Sequence, residues 1–564
     1  MTTRTETRRP SDSPVPSTRS GRPRSRSRSR DRGTVTGTGT LVRFMLRRDR
    51  VKLPLWVAGL GLYIVYIGAA LPQLAPDESG LAGAAMLFES PVGRMWVGPA
   101  FGMDVVTYER FFAAAYVLYV YILAALMNIL LVARHTRAEE QSGRAEVVRA
   151  NVVGRHAPLT AALVVAAIAN VTAAAVVTGL AVGNGYAVAG SLLVGVTMGL
   201  TGMAFAAVTA VTVQLSAGSR AAAGLAGAVL GIAFLVRALG DMLAVGGSAL
   251  SWASPLGWAS QTAPYVYDRW WPLLLLVVLT AAGVAAGFAL QARRDFGAGL
   301  MAVRSGRVDA TPALGTPVGL AARLQRGALI GWGAVIALFG IIDGAFAQAM
   351  LDAAEEMPPL LLEVFGTGGL AAGYLAFLSS FSGYVTAAYV VFAVQSLVVE
   401  EVRGRAEAVL ATPTSRTAWA GSHVGVIAVG SALILLVTGL LTGAAVAAVT
   451  GDWSAVAEST WAHLNVVPAV LVVLGVAAAV FGWAPRALPV VGWALVGVII
   501  VVGVFASLLD FPQWLLDLSP FSHPAQMPVE AFAPMPLVWL TLIAAAGVAV
   551  GLVGLRRRQV VNKG

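Results

Sequence analysis

Glu139-Glu140-Gln141-Ser142-Gly143-Arg144-Ala145-Glu146 and Glu400-Glu401-Val402-Arg403-Gly404-Arg405-Ala406-Glu407 are one eight-residue pattern, Glu-Glu-x-x-Gly-Arg-Ala-Glu, written twice. Each copy follows one long apolar stretch and precedes another, and the two lie 261 residues apart in a chain of 564. At that offset Val148, Ala150 and Arg155 also match Val409, Ala411 and Arg416, which makes nine identities over seventeen positions. Chance does not supply such agreement. The chain reads as a duplicated membrane unit with the same charged element in each half.

Hydrophobic residues make up 57% of the chain, charged residues only 12%, and the mean hydropathy is +0.76. Soluble domains carry about 25% charged residues, so the fold class expected is an all-α polytopic membrane protein. Apolar stretches of spanning length, about 20 residues, centre near residues 62, 122, 170, 202, 232, 282, 338, 390, 434, 473, 498 and 545. That is twelve spans as two fused six-helix repeats. The division expected is a disordered basic tail over 1–39, a first half over 40–295, a linker over 296–315 and a second half over 316–564.

The net charge of +10 is concentrated at the start, where residues 1–52 hold fifteen Lys or Arg against four acids. The run Arg24-Ser-Arg-Ser-Arg-Ser-Arg30 has too little apolar content to fold. It reads as a retention signal on anionic lipid, with no nucleic-acid partner. Cysteine is absent, which excludes disulfides and thiolate chemistry.

Basic residues near span ends mark the cytoplasmic side. No Lys or Arg lies between Arg326 and Arg403, within 417–485 or within 487–555, so in the second half they fall in every second loop. In the first half Arg134, Arg137, Arg144, Arg149 and Arg155, then Arg220, then Arg293, Arg294, Arg304 and Arg307 do the same. Both termini are expected in the cytoplasm of a bacterial plasma membrane. The opposite loops carry Asp77, Glu78, Glu89 and Asp104, and Asp352, Glu355, Glu356 and Glu363. Basic amphipathic approaches at Leu41–Lys52 and Leu320–Gln325 are expected to lie at the interface as elbow helices. Ser254-Pro255 and Ser519-Pro520, each in a loop with tryptophan, predict short helices at the outer rim.

A phosphate-binding loop needs Gly-x-x-x-x-Gly-Lys-Ser/Thr, and neither Lys52 nor Lys563 follows a glycine. Zinc-protease and Gly-x-Ser-x-Gly patterns are absent too, so an enzyme is not expected. Topology alone requires arginines but not a repeated order of acids, glycine and arginine. The repeated element therefore predicts a short cytoplasmic helix for protein docking, with Glu139, Glu140, Glu400 and Glu401 near its start, where carboxylates complement the helix dipole.

At these residues the chain resembles the membrane subunits of type-2 ATP-binding-cassette (ABC) export systems. In those, an acidic pair, Gly-x-x-Glu and a Thr-Pro-x-Ser-Arg run follow span 2 of a six-span unit and form a coupling helix. The second copy matches at Glu400, Glu401, Gly404, Glu407, Thr412, Pro413, Ser415 and Arg416, with Arg405 inside the same docking element. The first keeps Glu139, Glu140, Gly143, Glu146 and Arg155, with Arg144 inside the element, but has Asn151, Val152 and Gly154 where Thr, Pro and Ser are expected. With the fused halves and Ser254-Pro-Leu-Gly-Trp258, the chain is most similar to exporters of polyketide antibiotics. The resemblance implies two copies of a separate ATPase, which hold ATP and Mg, with no cofactor in this chain. It also implies a hydrophobic or amphipathic small-molecule substrate.

The alternative is a twelve-span transporter driven by an ion gradient, for which the candidate groups are Arg237, Asp241 and Asp343. A structural scaffold is a third class, but it leaves the repeated element unexplained. Aromatic residues at helical spacing, Tyr108, Phe112, Tyr116 and Tyr119 on span 2 and Phe377, Phe381 and Tyr384 on span 8, are candidates for the substrate path or for helix packing.

Overall fold

The computed structural model describes residues 33–75, 81–82, 85, 88, 90–150, 153–301, 309–352, 370–505 and 511–558. The arginine-serine run, Asp77, Glu78, Glu89, Asn151, Val152, Arg304, Arg307, Glu355, Glu356 and Glu363 lie outside them.

All regular structure among the described residues is helical. The first half comprises α1 (Thr38–Arg48), α2 (Lys52–Leu74), α3 (Pro91–Val97), α4 (Tyr108–Ala115), α5 (Val117–His135), α6 (Arg137–Gln141), α7 (Arg144–Arg149), α8 (Ala157–Gly183), α9 (Val188–Leu215), α10 (Ser219–Leu243), α11 (Pro255–Ser260) and α12 (Leu273–Arg293). The second comprises α13 (Pro317–Asp352), α14 (Leu370–Val402), α15 (Arg405–Leu410), α16 (Arg416–Thr450), α17 (Ser454–Asn465), α18 (Val467–Trp483), α19 (Leu488–Phe505), α20 (Gln513–Asp517) and α21 (Pro534–Arg557). Helix is what apolar Ala, Val, Leu and Gly runs must adopt in hydrocarbon, where each backbone group has to be paired within its own segment.

Among the described residues eleven stretches are long and apolar enough to cross a membrane, α17 and α18 together forming one of them. The remaining expected span is α19, whose apolar run Leu488–Val504 is shorter and rises about 25 Å.

The halves repeat one packing scheme. In the first, α2 lies on α8, α8 on α9, α5 on α9 and α9 on α12; in the second, α13 lies on α16, α16 on α17, α14 on α18 and α18 on α21. Small residues permit the closest of these approaches. A Cβ on Gly482 of α18 would stand 2.1 Å from the Gly551 carbonyl oxygen of α21, so only glycine fits there.

Each half buries its own core. Leu60, Phe112, Tyr121, Phe205 and Leu276 belong to the first, and Tyr389, Trp419, Val473, Phe481 and Leu540 to the second. Two cores in one chain describe two bodies that meet along a seam.

The two elbows differ. α1 ends at Asp49, which leaves the helix and is buried against His135 at 2.6 Å, with Arg134 as a second partner. Before span 7 no such acid breaks the helix, and Leu320–Gln325 is continuous with α13. Gln325 there donates to Ser396 Oγ at 3.0 Å, so a neutral contact stands where the first half uses charge. The two Ser-Pro pairs do open short helices: Ser254 accepts from Leu256 and Gly257 amides ahead of α11, and Ser519 from Phe521 ahead of a single 3-10 turn.

Candidate functional site

The repeated motif folds alike in both halves. Glu400 and Glu401 form the last turn of α14, and Gly404, at φ +71°, opens α15. In the first copy Thr136 interrupts the helix, Glu139 and Glu140 lie in α6, and Gly143, at φ +73°, precedes α7. Nothing stands within 4 Å of a Cβ built on either glycine, so the left-handed backbone and not lack of space selects the residue. In the second copy the acidic pair thus ends α14 instead of opening a short helix, which corrects the expectation there, whereas in the first copy Glu139 and Glu140 lie in the first turn of the five-residue α6 and precede α7. The acids in the first turn of α7 and α15 are Glu146 and Glu407.

The two acids of each pair hold different things. Glu400 accepts from Arg405 Nε at 2.7 Å, and Glu139 pairs with Arg144 at 3.7 Å and with Arg48 of α1. The first acid therefore fixes the short helix. The second reaches the last spanning helix of its half: Glu401 accepts from Arg558 Nη2 at 2.8 Å, and Glu140 from Arg294 Nη1 at 2.9 Å. Arg294 and Arg558 are the residues on which α12 and α21 end.

A second strap reaches the same place. Arg155 donates to the Gln291 and Ala292 carbonyls, each at 2.9 Å, and Arg416 donates to the Arg558 carbonyl at 2.7 Å. The terminal arginine of each motif thus satisfies carbonyls that a helix C-terminus leaves open. The residues that flank each short helix are thus tied to the end of span 6 or span 12 by an ion pair and a main-chain contact.

Burial separates the straps from the free surface. The Glu401 side chain is fully buried and its Oε2 lacks a donor, while Glu140 is 13% exposed and also holds Arg137 at 2.5 Å. Glu146, Glu407, Val147 and Ala408 are exposed, as are Thr412 and Pro413. Among the described residues neither Glu146 nor Glu407 has an ion pair. Of the residues assigned to docking from sequence, these two carboxylates face outward and the second acid of each pair faces inward.

Ser415 Oγ accepts from the Ala418 amide at 3.1 Å and caps α16, while the Thr412 hydroxyl donates to the Val409 carbonyl at 2.6 Å and closes α15. The first copy has Gly154 at the serine position for a steric reason. Residues 33–37 lie across it, with Gly154 N donating to Thr36 O and His156 N to Thr34 O, both at 2.9 Å. A Cβ on Gly154 would stand 2.2 Å from the Thr34 oxygen. Ordered chain thus extends into the last residues of the stretch expected to be tail. Beside these straps a cavity of about 350 Å³ is lined by Phe44, Arg48, His135, Arg155 and Arg294 among others.

The family profile described as "Multidrug efflux system permease Rv1217c, C-terminal domain" matches residues 39–290 and 314–556. The "Multidrug efflux system permease protein Rv1217c" of Mycobacterium tuberculosis (strain ATCC 25618 / H37Rv) is 39% identical over 527 residues, which cover 92% of this chain and 94% of that protein. The chain belongs to this family of multidrug efflux permeases.

In this efflux permease the aromatic stripes divide. Phe112 packs on Tyr186 at 5.4 Å and on Tyr265 at 6.5 Å inside the first half, and Tyr384 on Phe521 at 4.9 Å inside the second. Tyr108 and Tyr116 serve α2, where Tyr108 donates to Ala75 O and the Tyr116 carbonyl accepts from Tyr63. Tyr119, Phe377 and Phe381 stay half-buried, the two phenylalanines stacked at 6.1 Å.

Arg237 and Asp241 form the local pair their spacing suggested, at 3.2 Å and fully buried. Arg237 also donates to the Arg94 and Met95 carbonyls of α3, and Arg94 Nε donates to the Asp241 carbonyl at 2.8 Å. The pair thereby pins α3 to the end of α10. Sequence reasoning missed Arg94, Asp49 and His135 as partners, since each contact spans more than 80 residues.

Proposed function

We propose that this permease is the membrane subunit of an ATP-driven ABC exporter that expels hydrophobic or amphipathic compounds, polyketide antibiotics and drugs among them. Two copies of a separate ATPase, carrying ATP and Mg, dock on α7 and α15 from the cytoplasmic side of the bacterial plasma membrane. Both termini lie on that side. The observation that carries the reading is the pair of short helices, each flanked by an acid and an arginine that are tied to the end of the last span of its half, with one glutamate of the short helix left facing outward. A loop that only enforced topology would not need that lever.

Reversal of the outward acids tests it. Glu146→Lys and Glu407→Lys lie at exposed positions, where stability changes by about 0.5 kcal/mol, so membrane level and melting should hold. Copurification with an ATPase encoded beside this chain, and substrate-stimulated hydrolysis by the complex, should fall together. Normal copurification and stimulation in the double reversal would overturn the reading.

A further inference from the structure

The seam between the halves is aromatic. The Phe339 ring of α13 lies 5.0 Å from Trp96 of α3, and Trp96 lies 6.4 Å from Phe234 of α10. One turn beyond Phe339 the same helix carries Asp343. It is nine residues before the helix ends at Asp352, or about 13 Å along the axis, which places it within the apolar run. Tyr374 donates to the Asp343 main-chain carbonyl at 2.8 Å, yet no donor or cation meets the half-buried carboxylate among the described residues.

Several cations of the first half are committed to other partners, among them Arg94 of α3, which donates to the Asp241 and Met242 carbonyls. Arg237 holds Asp241 and two carbonyls of α3. Arg269 lies over Tyr267 at 4.5 Å and Phe101 at 5.4 Å, and Arg110 donates to the Val105 carbonyl at 3.0 Å. Sequence adds none, since residues 53–93 and 327–402 contain no Lys or Arg. An acid inside a spanning helix is costly to keep without a partner and marks a functional position. Here it adjoins π faces that attract cations.

We propose that Asp343, with Trp96 and Phe339, forms a recognition site for amphipathic organic cations at the seam between the halves. The carboxylate selects charge and the rings take the apolar body, so neutral compounds of similar shape bind through the rings alone. The site rests on the efflux reading above, and it lies where relative movement of two separate cores would change its access.

The test uses the full chain purified without any ATPase, in lipid nanodiscs, with labelled tetraphenylphosphonium as the cation and triphenylphosphine oxide as the neutral probe. Asp343→Asn should weaken tetraphenylphosphonium at least tenfold and leave the neutral probe within twofold. Asp343→Glu should keep most of the cation affinity, and Phe339→Ala should weaken both probes. Unchanged cation affinity in Asp343→Asn would overturn the proposal, as would equal loss of both probes or a wild-type chain that binds no cation. Because no ATPase is present, failure here leaves the docking reading standing, and loss of the docking reading leaves this result standing.

Discussion

Replacing Arg558 by alanine strands a buried carboxylate, and the cost can be worked from its surroundings. Glu401 and Arg558 meet at 2.8 Å, with side chains 0% and 14% exposed. Removing one partner of a buried pair costs about 3–5 kcal/mol, because the other charge is left without compensation. Glu401 has no second cation among the described residues and its Oε2 already lacks a donor, so about 4 kcal/mol is expected. Arg294→Ala in the first half should be milder. Glu140 is 13% exposed and keeps Arg137 at 2.5 Å, so no charge is stranded and the loss is that of the two hydrogen bonds from Arg294 to Glu140 and its bond to Gln214 Oε1, about 3 kcal/mol. Adding Glu401→Ala to Arg558→Ala should recover stability, with a coupling energy of about 2 kcal/mol in the double-mutant cycle. Equilibrium unfolding of the purified variants in mixed detergent, followed by tryptophan fluorescence, measures all three. The reasoning fails if Arg294→Ala is as damaging as Arg558→Ala, or if the cycle couples by less than about 0.5 kcal/mol.

Gly404→Ala and Gly143→Ala should each cost about 1–2 kcal/mol, since both glycines hold positive φ; melting curves check this, and a neutral substitution would show that the turn relaxes freely. Deletion of residues 2–32 should leave insertion and orientation intact, whereas extending it through Thr36 removes the bonds to Gly154 and His156 and should loosen the first motif. Cysteine-accessibility mapping is direct in a chain without native cysteine, and inverted labelling of the shorter deletion would refute the first part. The purified chain should neither bind nor hydrolyse ATP, because neither lysine lies in a phosphate-holding loop; turnover by partner-free protein would contradict the permease assignment.

The span pattern and both short helices were legible because identity at a fixed offset and apolar run length do not depend on tertiary contacts. The partners of the acids were not. Arg294 and Arg558 lie 154 and 157 residues beyond Glu140 and Glu401, and they are 264 residues apart where the motif repeats at 261. An alignment in the register of the motif passes over them, so they read only as topology signals. Helical spacing likewise marks a face without naming its neighbour. Phe112 and Tyr384 turned into their own cores, while Trp96 and Phe339, in neither stripe, meet across the seam.

What the duplication kept and what it let drift divide along a physical line. Both halves retain the positive-φ glycine, the arginine that meets helix-end carbonyls and the acid that meets the final arginine of the half. Those contacts join a motif to its own sixth span and are set by backbone geometry, so either copy needs them. Drift occurs where a half touches something its twin lacks. Residues 33–37 cross the first motif and exclude a side chain at Gly154, whereas Ser415 is free to cap α16 beneath an exposed Thr412-Pro413 turn. Glu139 is also shared with Arg48 of α1, while Glu400 answers only to Arg405 among the described residues. The first short helix is therefore braced from the N-terminal side as well, whereas the second is held, among the described residues, through Glu400 of α14 and through flanking residues tied to span 12. An equal push on both would move the second half farther, and the seam at Trp96 and Phe339 is where that difference would be taken up.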